Sequence, residues 1–302
     1  MTEMNNKYNE FAGVYALMLT PYNDDKTINY AAYEEYTQFQ VNTGAGHLFA
    51  VCGTSEMAQL TLDERETLAK LTVKNADKTP VFATANLEPS WFAQVDEVKR
   101  MSQTGVKGLV FITKGMRDDP ERQYTYLSEL ATYTDLPIFL YEFPGVQPHK
   151  MEADVYKKLV DTGRFVGIKD TTCLMPPIKE KIAVQGDSNV LQANIPFLFE
   201  AYKAGARGVM ATPTSCGAQL FQKMWDEFVA DDLEAAEKTF QHIILLDNAI
   251  DSGFNVSAKY LVQLQGIKGM TPINRGNTIL SPARMNSIKT YYDWAKSNGL
   301  AY

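Results

Sequence analysis

The amino-acid sequence predicts an α/β protein built as a (β/α)8 barrel with a C-terminal helical extension. Short apolar runs alternate with amphipathic stretches, and four of those stretches end at a glycine just before the next run. Such a glycine is typical of a helix C-terminus, and a short apolar run is typical of a strand buried on both faces. Strict alternation of strand and helix implies a parallel sheet, either closed or open. No Gly-x-Gly-x-x-Gly follows the first run, which disfavours the open nucleotide-binding sheet and favours the closed (TIM) barrel.

Eight apolar runs, spaced on the scale of a βα unit, predict the strands of the barrel. They are Gly13–Met18, His47–Val51, Pro80–Thr84, Leu109–Ile112, Pro137–Tyr141, Phe165–Ile168, Asn189–Ala193 and Val209–Ala211. The stretches that follow them predict helices over residues 29–43, 62–78, 91–104, 121–134, 151–162, 173–182, 195–204 and 217–229. Asp63 and Glu64 suit a helical first turn because carboxylates are favoured at the positive end of the helix dipole.

The alternation of strands and helices stops after about residue 230. Residues 232–250, 255–265 and 282–297 have helical patterns with no strand between them. No Pro-, Gly- or Ser-rich linker precedes them, so we expect an extension that packs on the barrel within a single structural domain. The predicted boundaries are 1–230 for the barrel and 231–302 for the C-terminal helical extension.

Composition and charge exclude several classes of protein. The chain has 302 residues, and its 36 acidic and 29 basic side chains give a net charge of −7. This balance argues against nucleic acid or an anionic membrane as a partner, because both favour a basic face. The N-terminus has no basic region leading into an apolar one, and no apolar window approaches 18 residues. We therefore expect no secretion signal, no membrane span and a cytoplasmic location.

The cysteines and histidines predict neither a disulfide framework nor a metal site. Cys52, Cys173 and Cys216 lie far apart and form no Cys-x-x-Cys, so we expect three reduced, buried thiols. The three histidines are also scattered, without the close spacing of ligands carried on one helix. We therefore expect no metal in the site.

The sixth predicted strand ends in Lys169, at the position where barrels of this kind carry their chemistry. Strand alternation places Lys169 on the same face as Gly167 and Phe165. If that face is the lumen, desolvation lowers the pKa of the amine and makes it a candidate nucleophile for imine formation with a carbonyl. The alternative is a lysine that ends a strand and extends to water.

Two further strand ends carry groups that could act with Lys169. Tyr141 ends the fifth strand, and its hydroxyl could relay a proton, although a tyrosine there is also ordinary packing. Residues 52–56, after the second strand, offer hydroxyls and backbone amides to a carboxylate, although this is also ordinary turn chemistry. Convergence of the three strand ends on one barrel mouth favours the functional interpretation.

These motifs together resemble the dihydrodipicolinate synthase/N-acetylneuraminate lyase family of class I, Schiff-base-forming pyruvate aldolases. The resemblance rests on Cys-Gly-Thr-Ser-Glu at 52–56, Leu-Tyr-Glu-Phe-Pro at 140–144 and Gly-Ile-Lys-Asp at 167–170. It covers about residues 11–297, and the combination of motifs is more specific than any one of them.

The resemblance implies a role for several residues. Lys169 is expected to form an imine with pyruvate or another 2-oxo acid, Tyr141 to shuttle protons, and Thr54 to help bind the carboxylate. The carbonyl of Met210 is expected near the substrate. The covalent imine through Lys169 would make a metal or organic cofactor unnecessary, and the family implies a homo-oligomer, either a tetramer or a dimer.

The chain departs from the family pattern around this predicted site. Gly53 and Ser55 stand where the family turn has a hydroxyl residue and a glycine, while Thr54 keeps its place. Farther along, the synthases carry an asparagine and an arginine that grips the carboxylate of the second substrate. Here those positions hold Glu142 and Val146.

Three more positions differ from the family. The tyrosine that synthases lend across a dimer interface falls near Lys114 and Gly115, and the Gly-Asp of strand seven aligns with Ala193-Asn194. The small-residue turn after strand eight in the sialic acid lyases is matched only partly by residues 212–214.

The substrate-binding residues are therefore expected to combine an imine-forming half with an altered half that selects the second substrate. The expected substrate-binding set is Gly53, Thr54, Ser55, Glu142, Ala193, Met210 and Thr212. Lys114, His149, Asn194 and Thr214 could also line the altered half, although surface exposure explains Lys114 and His149 equally well.

The function expected from these features is a Schiff-base-dependent lyase or aldolase. It would reversibly cleave a 2-oxo acid, such as a 3-deoxy-2-oxo sugar acid, to pyruvate and an aldehyde. A dehydratase acting on such a sugar acid through the same imine is a close alternative. Two others are 4-hydroxy-tetrahydrodipicolinate (dihydrodipicolinate) synthase, which condenses pyruvate with aspartate semialdehyde, and a non-catalytic barrel that binds a 2-oxo acid.

Overall fold

The computed structural model describes residues 8–114 and 119–300, and its strands form a closed parallel barrel. The strands are β1 (Gly13–Leu17), β2 (His47–Val51), β3 (Val81–Thr84), β4 (Gly108–Ile112), β5 (Ile138–Tyr141), β6 (Phe165–Asp170), β7 (Asn189–Gln192) and β8 (Gly208–Val209). Each strand pairs with its neighbours in chain order, and β1 pairs with β8 to close the ring. The predicted (β/α)8 barrel is confirmed.

A helix follows each strand along the chain. These helices are α1 (Tyr30–Asn42), α2 (Leu62–Asn75), α3 (Trp91–Ser102), α4 (Pro120–Ala131), α5 (Ala153–Val160), α6 (Met175–Val184), α7 (Leu198–Ala204) and α8 (Thr214–Val229). Local sequence sets the start of two of them. Thr61 and Glu64 form a reciprocal capping box at α2, and Asp119 caps α4, which has Pro120 as its first residue.

Helices α5 to α8 each begin two or three residues from where the sequence predicts, and α7 does so because Ile195–Phe197 forms a 3-10 turn. Helix α6 begins at Met175 rather than at residue 173, because Cys173 adopts a left-handed conformation (φ 57°) and Leu174 is extended. Helix α8 begins at Thr214 rather than at residue 217 and continues past the non-helical Gly217. Cys173 is also exposed, so the expectation that all three thiols are buried is wrong for this residue.

The predicted helical extension is confirmed and consists of α9 (Leu233–Ile250), α10 (Asn255–Leu264) and α11 (Pro282–Ser297). Helix α9 packs along α8 and also contacts the short 3-10 turn Ile195–Phe197 that follows β7. Helix α10 packs on α8, and α11 packs on α9 and α10. Through its contact with the turn after β7, the extension reaches the edge of the barrel where the strands end.

Within residues 8–114 and 119–300, no helix is long and apolar enough to cross a membrane.

Aromatic rings fill the barrel near the beginnings of the strands. The rings of Tyr15 and His47 stack with centroids 4.2 Å apart, and Phe82 and Phe139 pack edge-on against Tyr15. Each phenylalanine faces a glycine on the next strand, Gly108 for Phe82 and Gly167 for Phe139. A side chain at either glycine would overlap the ring. Among the described residues this layer fills the lower barrel, and the cavity inside the barrel opens toward the C-terminal ends of the strands.

Replacing Gly167 with alanine tests this packing. A Cβ at residue 167 would lie 2.3 Å from the Phe139 ring and 2.4 Å from the carbonyl oxygen of Asn189 on β7. Since β7 is hydrogen-bonded to both neighbouring strands, its backbone resists such a shift, and we expect Gly167→Ala to lower the free energy of unfolding by about 3 kcal/mol. Urea denaturation measures this change. The matched control is Gly46→Ala, whose Cβ would lie 3.8 Å from its nearest neighbour. Equal stability of the two variants would contradict the packing argument.

Candidate active site

A cavity of about 520 Å³ opens at the C-terminal ends of the strands. Barrel strands, the loops that follow them and the helical extension all contribute to its wall. The lining residues are Gly53, Thr54, Tyr141, Phe143, Pro144, Lys169, Thr171, Cys173, Ala193, Asn194, Ile195, Pro196, Met210, Thr212, Pro213, Asp247, Asp251 and Phe254.

Lys169 lies at the inner end of this cavity and is only 4% exposed. Its Nζ atom lies 4.2 Å from the ring centroid of Tyr141 and 5.7 Å from that of Phe49. Within the described chain its amine has no carboxylate within 4 Å. Burial therefore lowers the pKa of Lys169 to about 8. Compared with the ordinary value of 10.5, this raises the fraction of neutral amine at pH 7 about 300-fold.

Tyr141 borders the same space, and the missing side chain of Gly53 makes room for it. A Cβ on Gly53 would lie 2.9 Å from the Tyr141 hydroxyl oxygen and 3.2 Å from the ring of Phe143. The family hydroxyl residue could not stand at position 53 unless one of these rings moved. Burial raises the pKa of the Tyr141 phenol, so the hydroxyl stays protonated at neutral pH and can donate a hydrogen bond.

Thr54 and Thr212 face each other across the cavity wall. Their hydroxyl oxygens are 3.0 Å apart and share a hydrogen bond, which links the turn after β2 to the segment after β8. Ala193, Asn194 and Met210 lie in the same wall, as the family alignment implied. The pair of hydroxyls can exchange its mutual hydrogen bond for bonds to a bound carboxylate.

Ser55 does not line the cavity, contrary to the expectation for this residue. It is fully buried, its hydroxyl donates to the carbonyl of Cys52, and its own amide donates to the same oxygen at 3.2 Å. Its donors are therefore used to close the turn.

Glu142 also lies outside the cavity, which corrects the expectation that it selects the second substrate. It follows Tyr141, so strand alternation turns its side chain away from the lumen. Its carboxylate is fully buried and accepts hydrogen bonds from the amides of Met151 (2.8 Å) and Thr171 (3.2 Å). Lys181 on α6 pairs with it at 2.8 Å.

Lys181 joins the ends of the two strands that carry Tyr141 and Lys169. Its Nζ atom lies 2.8 Å from Glu142, directly after β5, and 2.7 Å from Asp170, at the end of β6. Burial alone would lower the pKa of Lys181, but the two carboxylates raise it, so this lysine stays charged. The sequence did not reveal this role, because Lys181 lies in the middle of a helix with no motif around it.

Three other residues expected near the altered half, Lys114, His149 and Thr214, do not line the cavity. The Lys114 amine donates to the carbonyl of Glu88 at 2.9 Å, and the imidazole of His149 does not line the cavity. Thr214 is fully buried and bonds to backbone groups of β1, accepting from one amide at 3.0 Å. Gly115, at the position of the family's interface tyrosine, lies outside the described residues.

Several lining residues were not predicted from the sequence. Cys173 follows β6, and its thiol lies 2.9 Å from the side-chain oxygen of Asn194. Extending the search for site residues from the strand ends into the loops that follow them would have included it. Asp247, Asp251 and Phe254 come from α9 and the segment after it. Nothing in the sequence pattern indicates that a helix beyond the barrel returns to its mouth. Among residues 8–114 and 119–300, no three His, Cys, Asp or Glu side chains form a group that could hold a metal ion.

Comparison with known proteins identifies the family. The model of the dihydrodipicolinate synthetase family matches residues 10–283. The chain belongs to this family. The 4-hydroxy-tetrahydrodipicolinate synthase of Shewanella baltica is 26% identical over 227 residues, 74% of this chain and 77% of the relative. The synthase of the same name from Pseudoalteromonas atlantica is 26% identical over 243 residues, 80% of this chain and 83% of the relative.

Solved structures of related proteins share the fold. YagE, a prophage protein of the dihydrodipicolinic acid synthase family from E. coli K12 crystallised with pyruvate, has a TM-score of 0.86 at 20% identity, covering 96% of this chain and 99% of that one. Dihydrodipicolinate synthase of Thermotoga maritima has a TM-score of 0.87 at 22% identity, covering 97% and 100%. Family membership supports a class I, pyruvate-dependent lyase or aldolase, and therefore an enzyme rather than a non-catalytic barrel.

Replacing Lys181 with methionine tests the buried ion cluster. Two buried carboxylates would be left without a cation, so we expect Lys181→Met to lower the free energy of unfolding by about 3–5 kcal/mol. The matched control is Lys179→Met on the same helix, whose ion pair with Glu200 is exposed and contributes less than about 1 kcal/mol. Urea unfolding compares the two variants. The deficit of Lys181→Met should shrink as the pH falls, because burial already raises the pKa of Glu142 and its protonated form costs less to bury. Similar losses in both variants would contradict the proposed cluster.

Proposed function

We propose that the protein is a Schiff-base-dependent lyase that reversibly cleaves a 2-oxo acid to pyruvate and an aldehyde. The observation that carries this proposal is the buried, unpaired amine of Lys169 at the inner end of an open cavity, beside the hydroxyl-bearing ring of Tyr141. A depressed amine pKa in such a cavity is what nucleophilic attack on a ketone requires. No metal or organic cofactor enters the proposal, since the imine itself supplies the electrophile.

The proposed reaction begins when Lys169 Nζ attacks the ketone carbon of the 2-oxo acid. Loss of water leaves a protonated imine. Removal of the proton from the hydroxyl on C4 breaks the C3–C4 bond. The electrons of that bond pass into the iminium at C2 and form an enamine, while C4 leaves as the aldehyde. Protonation of the enamine and hydrolysis of the imine release pyruvate and restore the amine. Tyr141 would relay these protons, since its hydroxyl can both donate and accept.

The carboxylate of the 2-oxo acid would lie against the turn after β2. The hydroxyls of Thr54 and Thr212 border the cavity there, and Gly53 lines it beside them. Hydrogen bonds to an ionised carboxylate are stronger than those between neutral groups. The two hydroxyls are therefore better satisfied by a bound carboxylate than by each other.

The second candidate is 4-hydroxy-tetrahydrodipicolinate synthase, and the names of the two curated relatives favour it. The same imine would then condense with aspartate semialdehyde. The positions of the family asparagine and arginine hold Glu142, buried outside the cavity, and Val146, so the carboxylate of that second substrate lacks its usual partner here. For this reason the lyase remains the first proposal. A dehydratase using the same imine would start from the same complex.

Reduction with borohydride in the presence of pyruvate tests the imine. We expect peptide mass spectrometry to find the reduced pyruvyl group on Lys169 and none in Lys169→Arg. Lys114 is the internal control, because burial lowers its pKa to about 8 as well, yet it lies outside the cavity. Labelling of Lys114 with Lys169 unmodified would overturn the proposal.

The pH dependence of turnover follows from the same amine. Only neutral Lys169 attacks the ketone, and its pKa lies near 8, so kcat/KM should rise about tenfold per pH unit below 8 and level off above it. Steady-state kinetics between pH 6 and about 10 measure this profile. A limb that keeps rising toward pH 10.5 would contradict the desolvated lysine. The homo-oligomer implied by the resemblance stays a prediction, which light scattering coupled to size exclusion can test.

A further inference from the structure

The end of helix α9 brings two carboxylates to the outer part of the cavity. Asp247 lies in the last turn of α9, and Asp251 caps its C-terminus in a helical conformation, so the two residues, four apart, lie on the same face and both line the cavity. Asp247 is half-buried and Asp251 is exposed. Within the described chain neither carboxylate has a lysine or arginine nitrogen within 4 Å.

The charges of the cavity are therefore separated. Among the described lining residues, Lys169 is the one cation and lies at the inner end, while the two carboxylates are carried by the extension. Lys169 is more than nine-tenths buried and has no ion-pair partner, so it independently marks where the reacting carbonyl must sit. Burial and the neighbouring Asp251 raise the pKa of Asp247 to about 6, which still leaves it largely ionised at pH 7.

The groups between these two ends are neutral. Thr171, Asn194 and Thr212 offer hydroxyl and amide groups along the wall, and Phe143 and Phe254 offer aromatic surface. Several neutral hydrogen-bonding groups in a row suit a substrate that carries several hydroxyls. Each substrate hydroxyl can donate to a carboxylate of the cavity and accept from a hydroxyl of its wall. Among the described lining residues, none of these groups supplies a positive charge to balance a second anionic group.

We propose that Asp247 and Asp251 select the aldehyde half of the substrate, binding the hydroxyls of a neutral polyhydroxylated chain and repelling an aldehyde that carries a second carboxylate. This inference rests on the proposed lyase function and narrows its substrate class. The physical cause is that an added carboxylate at this end would face two like charges, which costs more in a partly desolvated cavity than in water. The two aspartates touch only the substrate part remote from the bond that breaks.

The test runs the reaction toward condensation, with pyruvate and three aldehydes of similar chain length. They are a neutral tetrose, succinic semialdehyde as the anionic probe and 3-aminopropanal as the cationic probe. For the wild-type enzyme we expect kcat/KM to be at least about tenfold higher for the tetrose than for succinic semialdehyde. The value for 3-aminopropanal should lie between the two, because the carboxylates attract its ammonium group but it carries no hydroxyls for the wall to bind. In the double variant D247N/D251N the preference for tetrose over succinic semialdehyde should fall by about tenfold, the size expected of a unit charge near a protein surface.

A charge-matched control separates this local effect from the net charge. The double variant E234Q/E237Q removes two carboxylates from the exposed surface of the same helix and should leave the preference unchanged. A wild-type preference for the anionic or the cationic aldehyde would overturn the inference, as would an unchanged preference in D247N/D251N.

Borohydride trapping in every variant distinguishes failure of the inference about the two aspartates from failure of the proposed lyase function. Labelling of Lys169 by pyruvate in D247N/D251N shows that the imine-forming half is intact, so an unchanged aldehyde preference then counts against the aspartates alone. Absence of labelling in the wild type would instead overturn the proposed function.

Discussion

The active face of the barrel depends on one buried ammonium group, that of Lys181. It holds Glu142 and Asp170 within hydrogen-bond distance, and these two residues directly follow Tyr141 and Lys169 in the chain. Because β5 and β6 are neighbours, the ion cluster lies behind the wall from which the two reactive side chains project. A cluster with two carboxylates and one cation is costly to bury, so its geometry must be maintained by the hydrogen bonds around it. This constraint sets the relative positions of the amine and the phenol.

Two buried lysines on adjacent elements have opposite properties for one physical reason. Lys181 keeps its charge because carboxylates surround it, and its pKa is raised. Lys169 faces aromatic rings and an open cavity, and its pKa is lowered to about 8. A third lysine, Lys259 on α10, pairs with Glu56 at 2.6 Å and so anchors the turn that carries Thr54. Burial lowers the pKa of Lys259 to about 8 despite this pairing, so what distinguishes Lys169 is that its amine has no carboxylate within 4 Å in the described chain and borders an open cavity.

The barrel and the extension divide the proposed work between them. The strand ends supply the amine, the phenol and the carboxylate-binding turn, all of which act on the part of the substrate common to 2-oxo acids. Helix α9 and its C-terminal cap supply Asp247 and Asp251, which line the outer cavity where the proposal places the part that differs between substrates. A barrel of this type can therefore keep its imine chemistry while a change outside the barrel alters the aldehyde it accepts.

The sequence by itself determined the alternation of strands and helices, the barrel, and the candidacy of Lys169, Tyr141 and Thr54, because periodicity and strand-end position are local properties of the chain. It also gave reason to doubt the usual second-substrate site, through Glu142 and Val146. Only the tertiary structure decided where Glu142 points, that Ser55 closes its own turn, and that α9 returns to the mouth. These facts depend on contacts between residues far apart in sequence, such as Lys181 with Glu142, for which no local pattern exists. The unpaired state of Lys169 is of the same kind, since it requires knowing every neighbour of the amine.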